Sequence, residues 1–248
     1  MSPPRSLVEV RSAVADVEGW LTDDQIERLH DAAVGAPPGG RIVEIGSFRG
    51  RSTIVLASSA DPDVTVVAID PHAGNDRGPQ EIEGFVDEAA EDNDRFERNL
   101  AAAGVRDRVT HLRMFSGDAH GEVDGAIDVL FVDGAHRFGP ARADLRDWGA
   151  RVAPGGRMLI HDSFSSIGVT LAILVELLGS RSWRYVGRSQ SLAEYVRVDR
   201  VERPLVNALR QLAELGWFVR NVLIKVLIVA GLRRWTRLLG HRQESWPY

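Results

Sequence analysis

Two acids and two histidines, Asp133, His136, His161 and Asp162, offer the clearest chemistry in this sequence. Each pair ends an extended run: Ala126–Val132 leads into Asp133-Gly134-Ala135-His136, and Arg157–Ile160 leads into His161-Asp162. Short apolar runs bounded by turn residues read as strands buried on both faces. The carboxyl ends of such strands are where open α/β sheets bind ligands, so the four side chains are expected to converge. Asp133, His161 and Asp162 supply oxygen and imidazole donors for a divalent ion such as Mg²⁺. An ion there would hold a substrate hydroxyl and ease its deprotonation. His136, three residues past Asp133, is the expected general base, because an imidazole titrates near neutral pH. The plainer alternative has the histidines bonded to nearby backbone and the acids capping helices.

The element that must position them is Arg41–Thr53, RIVEIGSFRGRST. A strand ending at Glu44-Ile45 meets a turn bracketed by Gly46 and Gly50, and Ile54-Val55-Leu56-Ala57 then continues as a helix. That unit holds nucleotide-like ligands in doubly wound sheets. The spacing E-x-G-x-x-x-G lacks the third glycine of the dinucleotide turn and places an acid before the first. An acid there repels a pyrophosphate and suits a cationic, amino-bearing ligand, a description that S-adenosylmethionine fits.

The remaining segments read as alternating strands and helices. Ser6–Val17 and Thr22–Val34 are expected helices, the second opened by a Thr22-Asp23-Asp24-Gln25 capping box and stopped by Pro37-Pro38-Gly39-Gly40. They could cover the site or form a dimer contact, and the plainer expectation is a helical lid on the sheet edge. Val64–Asp70 is a buried strand whose final acid lies where ribose hydroxyls are commonly held. His72–Asp94 is long for a connection and is expected to contain a lid or substrate loop, its acidic run Asp87–Asp94 forming a solvated face. A helix at Arg95–Ala103 and a strand at Arg108–Met114 precede Ser116-Gly117-Asp118, a turn able to face an adenine amine. Arg142–Arg151 is an expected helix, and Thr170–Leu178, apolar nearly all round, an expected buried one. Trp183–Arg188 and Ser191–Val198 would pair as a closing hairpin.

Composition narrows the function classes. With 248 residues, 44% of them hydrophobic, the chain can bury one full α/β core. It contains no cysteine, which excludes thiolate metal sites and disulfides and suits a reducing cytoplasm. Met1–Val10 shows no basic region followed by a long apolar run, so no secretory signal is expected. Val201–Tyr248 has eight basic and three acidic residues, a balance of +5, so residues 1–200 carry −10 of the net −5. An acidic body argues against a nucleic-acid substrate.

EIGSFRGRST, AID, SGDA, FVDGAH and VAPGGRMLIHD together resemble the successive motifs of class I S-adenosylmethionine-dependent methyltransferases. The resemblance is to the bacterial group that includes macrocin-type sugar O-methyltransferases and their metal-dependent relatives, and it spans about Gly40 to Asp199. It implies a Rossmann-like, doubly wound seven-stranded α/β sheet, mostly parallel with an antiparallel last strand. It implies a cap at 1–39, a donor-binding domain at 40–199 and a helical tail at 200–248. Glu44, Gly46, Ser47, Phe48 and Ser52 would line the methionine and ribose end, Asp70 would hold the ribose, and Ser116 and Asp118 would flank adenine. The pattern is also similar to catechol-type O-methyltransferases, in which an acid at the fourth strand's end binds metal and a base follows three positions later, here Asp133 and His136. Where that family has an Asp-Asn or Asp-Asp metal pair, this chain has His161-Asp162.

The expected activity is therefore methyl transfer from S-adenosylmethionine to a saccharide hydroxyl, with Asp133 and His136 as catalytic residues and Mg²⁺ or another divalent cation assisting. Rival readings are a metal-independent methyltransferase of a phenolic or lipid substrate, and a silent nucleoside-binding module at a membrane. Gly216–Leu232 is apolar but interrupted by Arg220, Asn221 and Lys225, and Arg233-Arg234-Trp235 follows it. It suits either a helix in a membrane interface or one packed on protein, the body or a second subunit. In the first case the protein would sit at the inner face of the cell membrane and the acceptor could be lipid-linked.

Overall fold

The computed structural model describes residues 3–73 and 85–241, with backbone alone for 85–90. Two helices come first, α1 (Leu7–Ala13) and α2 (Asp23–Val34), each opened by a reciprocal capping box, Ser6 with Glu9 and Thr22 with Gln25. Then follow β1 (Arg41–Ile45), α3 (Arg51–Ser59), β2 (Thr65–Ile69), α4 (Phe85–Ala102), β3 (Val109–Leu112) and β4 (Ile127–Val132). The chain continues with α5 (Phe138–Ala143), β5 (Val152–Ile160), α6 (Ile167–Glu176), β6 (Trp183–Ser189) and β7 (Leu192–Arg197). It closes with α7 (Pro204–Ala213), α8 (Leu215–Val229) and a 3₁₀ segment, Arg233–Leu239.

The seven strands form one sheet in the order β3-β2-β1-β4-β5-β7-β6, with β7 antiparallel to both its neighbours. This is the expected doubly wound architecture, and its order reverses between β1 and β4, the point where such sheets bind ligands. Register decides what meets there. Leu112, Ile69, Ile45, Val132 and Ile160 pair as one continuous rung across five parallel strands. Asp70, Gly46, Asp133 and His161 each follow a rung residue, so they emerge side by side. Their backbone N–H groups continue the ladder, Gly46 to Ile69, Asp133 to Ile45 and His161 to Val132.

Each face of the sheet has its own core. One cluster joins α1–α4 to the sheet through residues such as Val10, Leu29, Ile54 and Phe96; the other joins α5, the turn after it and α6 through Ala141, Leu145, Trp148, Val169 and Ile173. The N-terminal helices thus lie on a face, not at the edge as the sequence suggested. Buried Gln25 donates to Ser191, and Arg28 pairs with buried Glu194 of β7.

Other expectations shift in detail. Helix α4 begins at Phe85, so the acidic run at Asp87–Asp94 is helical; Asp92 pairs with Arg49 at 2.7 Å instead of only facing solvent. The rest of the anticipated lid, 74–84, lies outside the described residues. Helix α5 starts four residues before Arg142 and unwinds into a π turn at Asp144–Trp148. Strand β5 starts at Val152 and absorbs Pro154-Gly155-Gly156 as a bulge against β4. Helix α6 is not buried all round: Ile167, Leu171 and Val175, spaced i, i+4, i+8, are exposed. Among the described residues, no helix is long and apolar enough to cross a membrane.

Candidate active site

The glycine turn after β1 is built by close backbone approach. Gly46 has φ +85°, and a Cβ there would lie 2.3 Å from the Asp133 carbonyl oxygen. Gly50, at φ +86°, precedes α3 and would strike Leu100 of α4 at 2.6 Å if it carried a side chain. Asp70 holds the turn from beneath. Its Oδ2 accepts the N–H groups of Ser47 and Phe48, both at 2.8 Å, and its Oδ1 accepts that of His72 at 2.7 Å. The sequence pointed to a ribose ligand at Asp70; the structure gives it a turn-building role in which three of its acceptor positions are engaged. A carboxylate offers about four, leaving room for one hydroxyl.

Glu44 lies fully buried under the same turn, bonded by the hydroxyls of Ser52 and Thr53. Burial pushes its carboxyl up to about 8, outweighing those hydroxyl bonds, with Asp133 and Asp70 nearby adding to the rise. Its Oε1 and the Ser47 hydroxyl are buried without a hydrogen-bond partner among the described residues. Unpartnered buried polar atoms are costly, and here they stand where a ligand's amino or hydroxyl groups would answer them. Glu44, Gly46, Ser47, Phe48 and Ser52 are therefore grouped as expected, and Thr53 joins them.

The N-terminal segment closes over this end. Trp20 packs on Phe48 with ring centroids 5.0 Å apart, Arg49 pairs with Glu18, and Arg51 donates to the Val14 and Val17 carbonyls. Nothing in the spacing of Trp20 announced that contact. In the turn expected to face adenine, the Ser116 hydroxyl donates to Asp144 at 2.6 Å, whereas Asp118 is exposed. Asp144 is buried and its carboxyl is raised to about 6 by desolvation; in the sequence it looked like an ordinary polar position of a helix. His72 and His111 meet at 3.2 Å beside Phe96, both held below the usual imidazole range chiefly by burial.

At the carboxyl ends of β4 and β5 the four predicted residues do converge, in two imidazole–carboxylate pairs. His161 Nδ1 lies 3.0 Å from Asp133 Oδ1, and His136 Nε2 bonds Asp162 Oδ2. Asp162 is buried in the left-handed region at φ +54°. Burial would raise its carboxyl, but the His136 bond and the charges of His161, His136 and Lys225 prevail and hold it well below the carboxylate range. Neither the strain nor Lys225, which reaches in from α8, was visible in the sequence. Gly168 of α6 also escaped notice: its Cα backs onto the His136–Phe138 backbone, and a Cβ there would meet the His136 carbonyl oxygen at 2.2 Å.

For a metal, the three groups whose donor atoms lie within 4.8 Å of one another are Asp133, His136 and Asp162. The expected set had His161 in place of His136; His161 instead spends its Nδ1 side on Asp133. Two carboxylates and one imidazole fit a divalent ion that accepts nitrogen, such as Mn²⁺ or Zn²⁺, better than Mg²⁺.

The strand order, the acid-bearing glycine turn and the ligand-facing strand ends define a class I methyltransferase fold. Residues 43–163 match the family model described as a methyltransferase domain. Its fold is similar to the O-methyltransferase NovP, with TM-score 0.60 and 18% identity over 77% of this chain and 88% of that one. It is also similar to the O-methyltransferase TomG from Streptomyces achromogenes in complex with SAM (0.52, 19%, 80% and 92%). A putative rRNA-methylase from Clostridium thermocellum matches at 0.53 and 14% identity, over 71% and 97%. At such identities the likeness speaks for the fold, which serves more than one kind of acceptor.

Proposed function

We propose that the chain is an O-methyltransferase that moves the methyl group of S-adenosylmethionine onto a saccharide hydroxyl. The observation that carries this reading is the His136–Asp162 pair, which stands beside Asp133, next along the rung from the Gly46 turn. In the transfer the sulfonium–methyl bond breaks as the oxygen–methyl bond forms, leaving S-adenosylhomocysteine, while the hydroxyl proton passes to the imidazole–carboxylate pair. Asp162, held ionised, stabilises the imidazolium that results. Alignment of acceptor oxygen with methyl carbon supplies most of the acceleration. Glu44 and Ser47 would take the donor's polar groups, Asp70 its ribose, and Ser116 with Asp144 its adenine.

A saccharide suits the hydrogen-bonding groups that surround His136, namely Asp133, Arg137, His161 and Ser166. A lipid-linked glycan would also suit the C-terminal helices. A metal-assisted form, in which His136 and Asp162 would be ligands and not the proton-accepting pair, is favoured by the Asp133, His136 and Asp162 group. An ion held there would act as a Lewis acid on the acceptor oxygen.

The test is calorimetry with S-adenosylhomocysteine, alone, with Mg²⁺ or Mn²⁺, and after chelation, followed by transfer of labelled methyl to saccharide and phenolic acceptors. Micromolar binding and labelled saccharide are expected. No binding at millimolar ligand removes the donor site, labelled phenol alone replaces the acceptor class, and full activity after exhaustive chelation removes the metal.

A further inference from the structure

Helices α7 and α8 are built inside out. On α7 the buried side chains are Asn207 and Gln211. Asn207 accepts the Tyr185 N–H and donates to the Trp183 carbonyl, and Gln211 accepts the Tyr195 hydroxyl. On α8, Asn221 donates to the Phe164 carbonyl and Lys225 to the Ser165 carbonyl. On α8 the apolar Ile224 is buried as well and Trp217 and Phe218 pack on the core, but the other large apolar side chains take the opposite faces. Leu205, Leu209 and Leu212 on α7 are exposed, as are Val219, Leu223 and Val226 on α8, each set spaced i, i+4, i+7. A surface helix ordinarily turns its apolar stripe to the core and its polar side to water. Here polar groups help fasten the helices to the body and the stripes face out, with no cover among the described residues.

Charge identifies the cover. From Leu215 to His241 the chain has five basic residues and no acidic one. Arg233, Arg234 and Arg237 are exposed around exposed Trp235 and Leu238. A two-fold dimer through this face would set each cationic rim close to its own copy. An anionic bilayer answers both features, its acyl boundary meeting the apolar stripe and its headgroups the arginines. Helix α8, with 15 residues, is about 22 Å long and too short to span a hydrocarbon core of about 30 Å. We propose that α7, α8 and the Arg233–Leu239 turn dock the chain in the plane of an anionic lipid surface. Because Asn221 and Lys225 grip the two residues that follow Ser163, the docked helix also braces the turn that carries Asp162.

The experiment is flotation of the full-length protein with phosphatidylcholine vesicles, with and without phosphatidylglycerol, alongside sedimentation velocity without lipid. Co-flotation with the anionic vesicles is expected, weakening as salt rises. Replacing the three exposed arginines together (R233Q, R234Q, R237Q) should lower partition on the order of a hundredfold. The pair L223E and V226E should abolish it, with thermal unfolding confirming that each variant is folded. If wild-type protein does not float with anionic vesicles, the proposal fails; a dimer that L223E disrupts would then make this face an interface between copies. Flotation unchanged in both folded variants overturns it equally, since lipid contact would lie elsewhere.

Discussion

The two halves of the site are held by different means. The half proposed to take the donor rests on backbone: two glycines at positive φ, and a carboxylate, Asp70, that gathers three N–H groups. The half proposed to take the acceptor rests on side chains, two imidazole–carboxylate pairs and a strained Asp162 braced from α8. A backbone cradle is indifferent to most substitutions but intolerant of an added Cβ. A side-chain dyad tolerates shape changes but fails with the loss of one proton acceptor. The contrast predicts where each half breaks and how the damage is read.

The largest effect is expected where the halves touch. Gly46→Ala forces a left-handed alanine against Asp133, and should cost about 2–5 kcal/mol from backbone strain and overpacking. A thermal-unfolding curve and S-adenosylhomocysteine titration would both show it; unchanged values would mean the turn is not closed against β4. Next is His136→Gln, which should lower turnover by roughly 10²–10⁴ while donor affinity stays within a few fold. Equal losses in both would make His136 a structural residue and dissolve the distinction between the halves.

The smallest effect concerns Glu44. Its carboxyl is raised from 4.5 to about 8 in the folded chain, so between those pH values the folded state holds a proton that the unfolded state has lost. Its contribution to stability therefore falls as pH rises through that window. Glu44→Gln should flatten that part of the stability–pH curve. An unaltered curve would show that Glu44 is ionised when buried.

Much of this was legible in the sequence, for identifiable reasons. Parallel strands buried on both faces leave unbroken apolar runs, so β1, β2 and β4 were found within a residue or two, and with them the strand ends that carry Asp70, Asp133 and His161. Glycines in close contact announced the turn after β1 by their spacing. What escaped was whatever depends on partners distant in the chain. The exchange of His161 for His136 in the possible metal group follows from side-chain directions at neighbouring strand ends, which alternation alone does not set. Trp20 over Phe48 and Lys225 beside Ser165 join segments with no periodic relation. Helix α6 looked uniformly apolar, and composition cannot say which third of such a helix remains uncovered.

The links from α2 to β7 carry a consequence for how the protein comes into being. Gln25 and Ser191 are 166 residues apart, as are Arg28 and Glu194. At ribosomal rates of roughly 5–20 residues per second, the second partner follows the first by on the order of ten to thirty seconds. Through that interval α2 can lay Ile26 and Leu29 against α3, but its buried Gln25 amide and half-buried Arg28 guanidinium have no counterparts. The first helices made are thus among the last to be locked, and the nascent chain must keep an unmet polar face in water until its closing hairpin emerges.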